Sequence, residues 1–253
     1  MRVGLLLTYI YIEETHTWLD SYVWGMSTTY FTPKLFQFLR DLEENNDRDW
    51  FKAHQADYER HVREPALDFI NDFAAPLKSI SEHFVADTRK VGGSLFRIQR
   101  DTRFSKDKTP YKTNTGMQFR HVMAKDAHAP GFYINLQPGE CYMGVGLWRP
   151  ESKVAYQIRE HIDAHPTEWK RASRGKRFTD VFSIGGDSLV RPPRGFDEQH
   201  PLIEDLKRKD FIASTRLTQK QVTSDHFLKD FSDYNKRAAP FMRFLCEAIG
   251  VPF

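Results

Sequence analysis

Apolar positions first fall into a helical rhythm after Thr32, where Leu35, Phe36, Leu39 and Leu42 recur at three- and four-residue spacing. Thr32 suits an N-cap and Pro33 a first turn, and Asn45-Asn46-Asp47 closes the helix. A second helix is predicted to carry Trp50, Phe51, His54 and Tyr58. A third, starting at Pro65, carries Leu67, Phe69, Ile70, Phe73 and Leu77. Gly92-Gly93 breaks the rhythm. Residues 94–104, 116–122, 132–137 and 141–148 are then short, β-rich and aromatic, the signature of strands. Helical spacing returns at 152–164, 166–173 and 201–209, and finally at 225–249, where Phe227, Phe231, Tyr234, Phe241 and Leu245 line up. Helices on both sides of a block of strands predict an α+β fold: a central, mainly antiparallel sheet flanked by N-terminal and C-terminal helices.

The alternation within two of those strands assigns their faces. In a hairpin turning at Pro138-Gly139, residues Phe132, Ile134, Leu136, Cys141, Met143, Val145 and Leu147 share one apolar face. Tyr133, Asn135, Tyr142, Gly144, Gly146 and Trp148 share the other, where glycines leave room above the backbone and the pattern fits a pocket floor. It fits equally a close-packed helix or a relieved bulge. An L-Pro-Gly turn twists against the strands, so a loop wider than two residues is expected, with the parity kept.

Composition narrows the picture. Hydrophobic residues are 40% of the 253, with 20 Phe and five Trp, which excludes a disordered chain. Lys+Arg 37 against Asp+Glu 34 leaves a net +3, too small to mark a nucleic-acid binder, so any basic partner site must be local. Cys141 and Cys246 stand apart in apolar runs, as free thiols of a cytoplasmic protein do. The apolar run at 3–12 is too short to span a bilayer, and no membrane partner is predicted. Met26 precedes a well-formed helix start, so residues 1–25 read as a non-native or unstructured extension ahead of one α+β domain at 26–253; an extra strand or helix is the alternative. Arg2 against Glu13, Glu14 and Asp20 gives that extension −2, leaving +5 for the rest.

The densest chemical signal runs from Phe96 to Lys112. Arg97, Arg100, Arg103, Lys106, Lys108 and Lys112 are opposed only by Asp101 and Asp107. In an extended segment Arg97, Gln99, Asp101 and Arg103 share a face, and guanidinium groups held by a carboxylate suit bidentate contact with phosphate or carboxylate. A solvated ladder of ion pairs is the competing reading.

The string Gly93-Ser94-Leu95-Phe96-Arg97-Ile98, followed by Arg100-Asp101-Thr102-Arg103-Phe104-Ser105-Lys106-Asp107-Lys108-Thr109-Pro110-Tyr111-Lys112, resembles the family catalogued as domain of unknown function 2461. Asn45-Asn46, Arg48-Asp49-Trp50-Phe51, His128-Ala129-Pro130-Gly131-Phe132-Tyr133, Gly146-Leu147-Trp148-Arg149-Pro150, Arg191-Pro192-Pro193-Arg194-Gly195-Phe196 and Leu206-Lys207-Arg208-Lys209-Asp210-Phe211 are similar to its motifs, in the same order. The resemblance runs from about Phe31 to the C-terminus. It implies a single α+β domain and transfers no catalytic assignment. Its polar positions are rich in Arg and Lys: Arg149 follows the glycine-bearing strand, and Arg191 and Arg194 flank a Pro-Pro that fits either convergence on the floor or a polyproline connector.

Other patterns fail on context. Gly144-Val145-Gly146 lacks the third glycine and the βα unit of a dinucleotide fingerprint. Gly186-Asp187-Ser188-Leu189 spells an esterase nucleophile block, but the Asp197-to-His200 pair follows too closely and too late. The histidines, His121, His128, His161, His165 and His200 among them, give no metal expectation, and no cofactor pattern occurs.

The expectation is therefore an anionic small-molecule site, phosphate- or carboxylate-bearing, using Arg97, Arg100, Arg103, Lys106, Lys108, Lys112, Tyr133, Asn135, Arg149, Arg191 and Arg194. For turnover, Asp101 and His121 are the proton-transfer candidates, Asp101 as a carboxylate kept ionised by arginines and His121 as a group titrating near neutrality. Asp101 as a plain counter-ion and His121 as a strand-end surface residue stand beside those roles. The rival function is a nucleic-acid-binding module, in which Lys106, Lys108 and Lys112 interleave with Phe104 and Tyr111.

Overall fold

The computed structural model describes residues 28–123 and 129–253. The segment read as an extension, 1–25, lies outside the described residues, as does His128. Helix α1 (Pro33–Glu44) begins at Thr32, which is extended but makes no side-chain cap, and buries Leu35, Phe36, Phe38, Leu39 and Leu42. Helix α2 (Arg48–Ala53) is capped by Asp47, which accepts from the Asp49 and Trp50 N–H groups at 2.9 Å. The predicted second and third helices are not separated as expected: α3 (Gln55–Tyr58) runs through a π-helical turn, Glu59–Arg63, straight into α4 (Glu64–Ile80). Pro65 falls in the first turn of α4, where its missing N–H breaks nothing.

The strands are β1 (Phe84–Val85), β2 (Thr115–His121), β3 (Gly131–Leu136) and β4 (Cys141–Leu147). Helices α5 (Ser152–Ala164), α6 (Pro166–Arg174) and α7 (Lys176–Thr179) follow. Then come β5 (Ser183–Gly185), α8 (Ile203–Leu206), β6 (Phe211–Leu217), α9 (Gln219–Val222) and α10 (Phe227–Ala248). Neighbours in the sheet are β1-β2-β3-β4-β6-β5, every pair antiparallel, so the fold is α+β as the pattern predicts. The helix expected over 201–209 is reduced to the single turn α8. No described helix is long and apolar enough to cross a membrane.

Period-two alternation gives the sheet two unlike faces. Met117, Phe119, Phe132, Ile134, Met143, Val145, Phe211 and Ala213 are buried on the face that meets α10 and α4. Phe73 of α4 meets Phe119 edge-on at 4.7 Å and Phe231 of α10 at 4.8 Å, and Phe69 stacks on Phe227 at 5.5 Å. The predicted hairpin parity therefore holds. Its turn is tighter than expected: the register puts Gln137 opposite Glu140, leaving only Pro138-Gly139 between them. Glu140 N–H closes the turn on the Gln137 carbonyl at 3.1 Å, with Gly139 at φ +78°. Asn135 Nδ2 donates to the Glu140 carbonyl at 2.9 Å and holds the two arms against their adverse twist.

The segment expected as a strand over 94–104 pairs with β2 only at its start. Gln118 N–H donates to the Ser94 carbonyl at 2.8 Å and Phe96 N–H to the Gly116 carbonyl at 3.0 Å. It then folds on itself: Arg100 N–H meets the Pro110 carbonyl and Lys112 N–H the Ile98 carbonyl, both at 2.8 Å. Aspartate turns drive this departure. Asp107 accepts from Thr109 N–H at 2.9 Å and Asp101 from Arg103 N–H at 3.3 Å, local bonds that compete with a sheet ladder.

Candidate anion site on the open face of the sheet

The second face of the sheet is carried by the residues between the core positions. One row across it reads Gln118, Tyr133, Gly144, Ser214 and Ser183; the next reads Arg120, Gly131, Gly146, Ile212 and Gly185. Small residues in the middle of both rows leave a hollow of about 360 Å³. Gly131, Gly144 and Gly146 form its floor, and Phe96, Tyr133, Tyr142 and Trp148 its aromatic walls. Tyr133, Tyr142, Gly144, Gly146 and Trp148 thus meet where the parity put them. Asn135 shares their face but is buried and engaged, accepting from Asn114 Nδ2 at 2.6 Å.

Two features shape the walls. Above Gly116 a Cβ would lie 2.8 Å from the Tyr133 hydroxyl and 3.1 Å from the Phe96 ring, so glycine is what lets those rings converge, with centroids 6.0 Å apart. At the far end, Gly146 adopts φ +117°, and a Cβ there would sit 2.1 Å from the Phe211 carbonyl oxygen. Burial pushes the Tyr133 phenol up, with its neighbour Tyr142 adding to the effect, so it is a neutral hydroxyl.

The basic segment divides into three parts. At its base, Lys112 Nζ lies 5.5 Å from the centre of the Phe96 ring and within electrostatic reach of Arg97. Burial first and the Arg97 charge second pull the Lys112 ammonium below the ordinary lysine value. Among the described residues neither cation has a carboxylate within 4.0 Å. Further out, Arg100 is held by Asp107 and Thr109. At the tip, Arg103 grips Asp101 through two bonds of 2.9 and 2.6 Å, and Lys108 donates to the Thr102 carbonyl at 2.8 Å. Lys106 is exposed there, and Phe104 is 95% exposed beneath the Arg103 guanidinium.

Arg149 is exposed and does not line the hollow, but it stands against Trp148, which does. Its guanidinium carbon stands 4.8 Å from the centre of the Trp148 ring. Its backbone, at φ +49°, is pinned by Asp210, which accepts from Arg149 N–H at 2.7 Å and from Asp187 N–H at 2.8 Å. Arg191 and Arg194 are exposed and do not line the hollow; their segment packs Phe196 on Tyr156 of α5.

The proton-transfer candidates do not meet. The Arg103 guanidinium, aided by its N–H, holds the exposed Asp101 at about 2. His121 is buried on the helix-covered face; its Nδ1 accepts from Met123 N–H at 3.2 Å, leaving Nε2–H to donate to the Pro252 carbonyl at 2.8 Å. Burial lowers its pKa, which favours the neutral ring. The esterase-like string also disperses: Ser188 is exposed, and His200 faces Asp163 at 3.0 Å.

Several contributors escaped the sequence reading, Gln118 and Gly131 among them. Ile212 and Ser214 lie on β6, whose short alternation went unread beside the basic run that precedes it. Asn46 clamps the base of the basic segment, donating to the Tyr111 carbonyl and accepting from Tyr111 N–H, both at 3.0 Å, while Phe51 stacks on Tyr111 at 4.1 Å. The paired asparagines before Trp50-Phe51 were the available signal, because an amide beside an aromatic can cap a distant backbone as well as a helix.

No curated protein matches the chain. The family model described as conserved hypothetical protein (DUF2461) matches residues 34–244, a span that takes in Asn46, the basic segment, the glycine floor and both ends of β6. The chain belongs to that family.

Proposed function

We propose that the protein binds an anionic small molecule, phosphate- or carboxylate-bearing, in the hollow on the open face of the sheet. One observation carries the reading. Lys112, beside Phe96 in the wall, feels the Arg97 charge, and among the described residues neither makes an ion pair within 4.0 Å, the Asp101 carboxylate reaching Arg97 only from further off. Two close cations, one half-buried, repel each other until an anion joins them, and ligand hollows of a few hundred Å³ with a few converging polar groups are common binding sites. Arg149 over Trp148 supplies a third cation. Arg100 and Arg103, already matched by Asp107 and Asp101, hold the ribbon in shape.

Thermal unfolding with inorganic phosphate and pyrophosphate tests this. Binding to the folded state adds about 2.7 kcal/mol at a hundredfold excess over Kd. Arg97→Ala and Lys112→Ala should each shrink that gain, by roughly tenfold in affinity, and Arg103→Ala should keep it. No stabilisation of the wild type by any anion would overturn the reading.

Phe104 favours a second reading, a nucleic-acid-binding module: an exposed ring beside Arg103, Lys106 and Lys108 suits base stacking and backbone contact. Its mark is affinity for a short oligonucleotide that falls steeply with salt, a slope of about −0.7 per phosphate contacted, and that is lost in Phe104→Ala.

A further inference from the structure

The glycines of the floor are not equivalent. Gly146 is imposed by its backbone, and Gly131 is crowded, since a Cβ there would meet Gln118 Nε2 at 3.2 Å and the Phe119 carbonyl at 3.3 Å. Gly144 has no such excuse. It sits in regular strand geometry at the centre of the sheet, and a Cβ on it would approach nothing closer than the Ala213 carbonyl oxygen at 3.7 Å, an ordinary contact. The backbone accepts a Cβ at this position, yet the site keeps bare backbone there.

The bare patch has a definite size. Gly131 and Gly146 are directly paired and Gly144 lies two residues along β4. The patch is therefore one strand spacing wide, about 4.8 Å, and one side-chain repeat long, about 6.8 Å. That is the footprint of one flat ring lying on peptide planes. The surroundings are aromatic: Tyr133 opposite Gly144 on β3, Tyr142 beside it on β4, with their rings 5.9 Å apart, then Phe96 and Trp148. Ring edges and faces favour another ring over a branched aliphatic body.

Resting on the anion-site reading above, we infer that the ligand is a planar aromatic or heteroaromatic ring carrying its phosphate or carboxylate as a substituent. The ring lies on the Gly144 floor, and the anion reaches Arg97 and Lys112 past Phe96. Ser214, paired across from Gly144 and lining the hollow, is placed to hydrogen-bond a ring heteroatom.

Paired probes on the full chain separate the ring from the anion. Phenyl phosphate is compared with glycerol 3-phosphate, adenosine 5′-monophosphate with ribose 5-phosphate, and benzoate with acetate, by calorimetry and thermal shift. At least one aromatic member should bind tenfold or more tightly than its aliphatic partner. Gly144→Val, whose methyl groups fill the hollow, should erase that preference. Gly144→Ala serves if the larger variant folds poorly. Equal binding within all three pairs, or a preference that survives both substitutions, would overturn the inference while the anion site stands. Loss of inorganic phosphate binding from the wild type itself would remove both.

Discussion

The two faces of the sheet are made by alternate residues of the same strands, yet they do opposite things. Phe119, Phe132 and Met143 are sealed under α4 and α10, whereas their neighbours Gln118, Gly131, Tyr142 and Gly144 line a hollow. A shift of one residue in register would exchange the faces. The comparison teaches that packing on one side specifies the emptiness on the other: the covered face locks the strand register, and the open face is then free to carry residues that contribute little to stability.

The largest effect should come from breaking the covered face. Phe119→Ala removes a ring packed between Phe73 and Phe231 and should cost about 3–5 kcal/mol in denaturant unfolding. Ser214→Ala on the open face should stay within about 0.5 kcal/mol of wild type. Similar losses at both positions would dissolve the distinction.

A sharper contrast lies within the floor itself. Gly146→Ala forces an L-residue into φ +117° against the Phe211 carbonyl, and strain of this kind costs about 1–3 kcal/mol or more. Gly144→Ala, two residues away, should leave the melting temperature within a few degrees of wild type, since about 1 kcal/mol moves it roughly 2–4 °C at this size.

How much of this was legible follows from the range of each signal. The face of a strand is a local property, so Phe132-Tyr133-Ile134 and Cys141-Tyr142-Met143 declared both core and hollow. The neighbour of a strand is not local. β6 returns beside β4 only after α5 to α8 have intervened, and no spacing rule announces that Ser214 will face Gly144. The basic run was visible as charge, but its division into matched and unmatched cations depends on which aspartates fold back on which arginines. Asn46 and Tyr111 meet across 65 residues.

That long-range clamp gives the next prediction. Asn46→Ala strips a donor and an acceptor from the Tyr111 backbone and should cost about 1–3 kcal/mol. Amide exchange should accelerate at Tyr111 and Lys112 while the amides of β3 and β4 stay protected. Phosphate stabilisation should fall although Arg97 and Lys112 are untouched, because the base of the ribbon no longer holds them together. Unchanged exchange at Lys112 would show that the stacking of Phe51 on Tyr111 suffices.

The smallest effect is the most diagnostic of the open face. The folded pKa of Lys112 lies below the ordinary lysine value of 10.5, lowered by burial first and by the Arg97 charge second. The unfolded chain therefore binds its proton more tightly. The penalty is fully present below the folded pKa and is relieved as pH rises toward 10.5. Anion affinity must move the opposite way over the same window, because deprotonation removes the cation that the anion needs. Raising the pH should thus favour this group's contribution to the free protein while shrinking the shift produced by phosphate. Lys112→Met should leave the free protein as stable as wild type or more so at pH 7, by relieving first the burial of the charge and then its repulsion with Arg97. The same variant should weaken phosphate binding by roughly tenfold, the scale of one charge-assisted hydrogen bond. A variant less stable than wild type that still binds phosphate normally would mean that Lys112 serves the ribbon's packing through its stem and that the anion is held elsewhere.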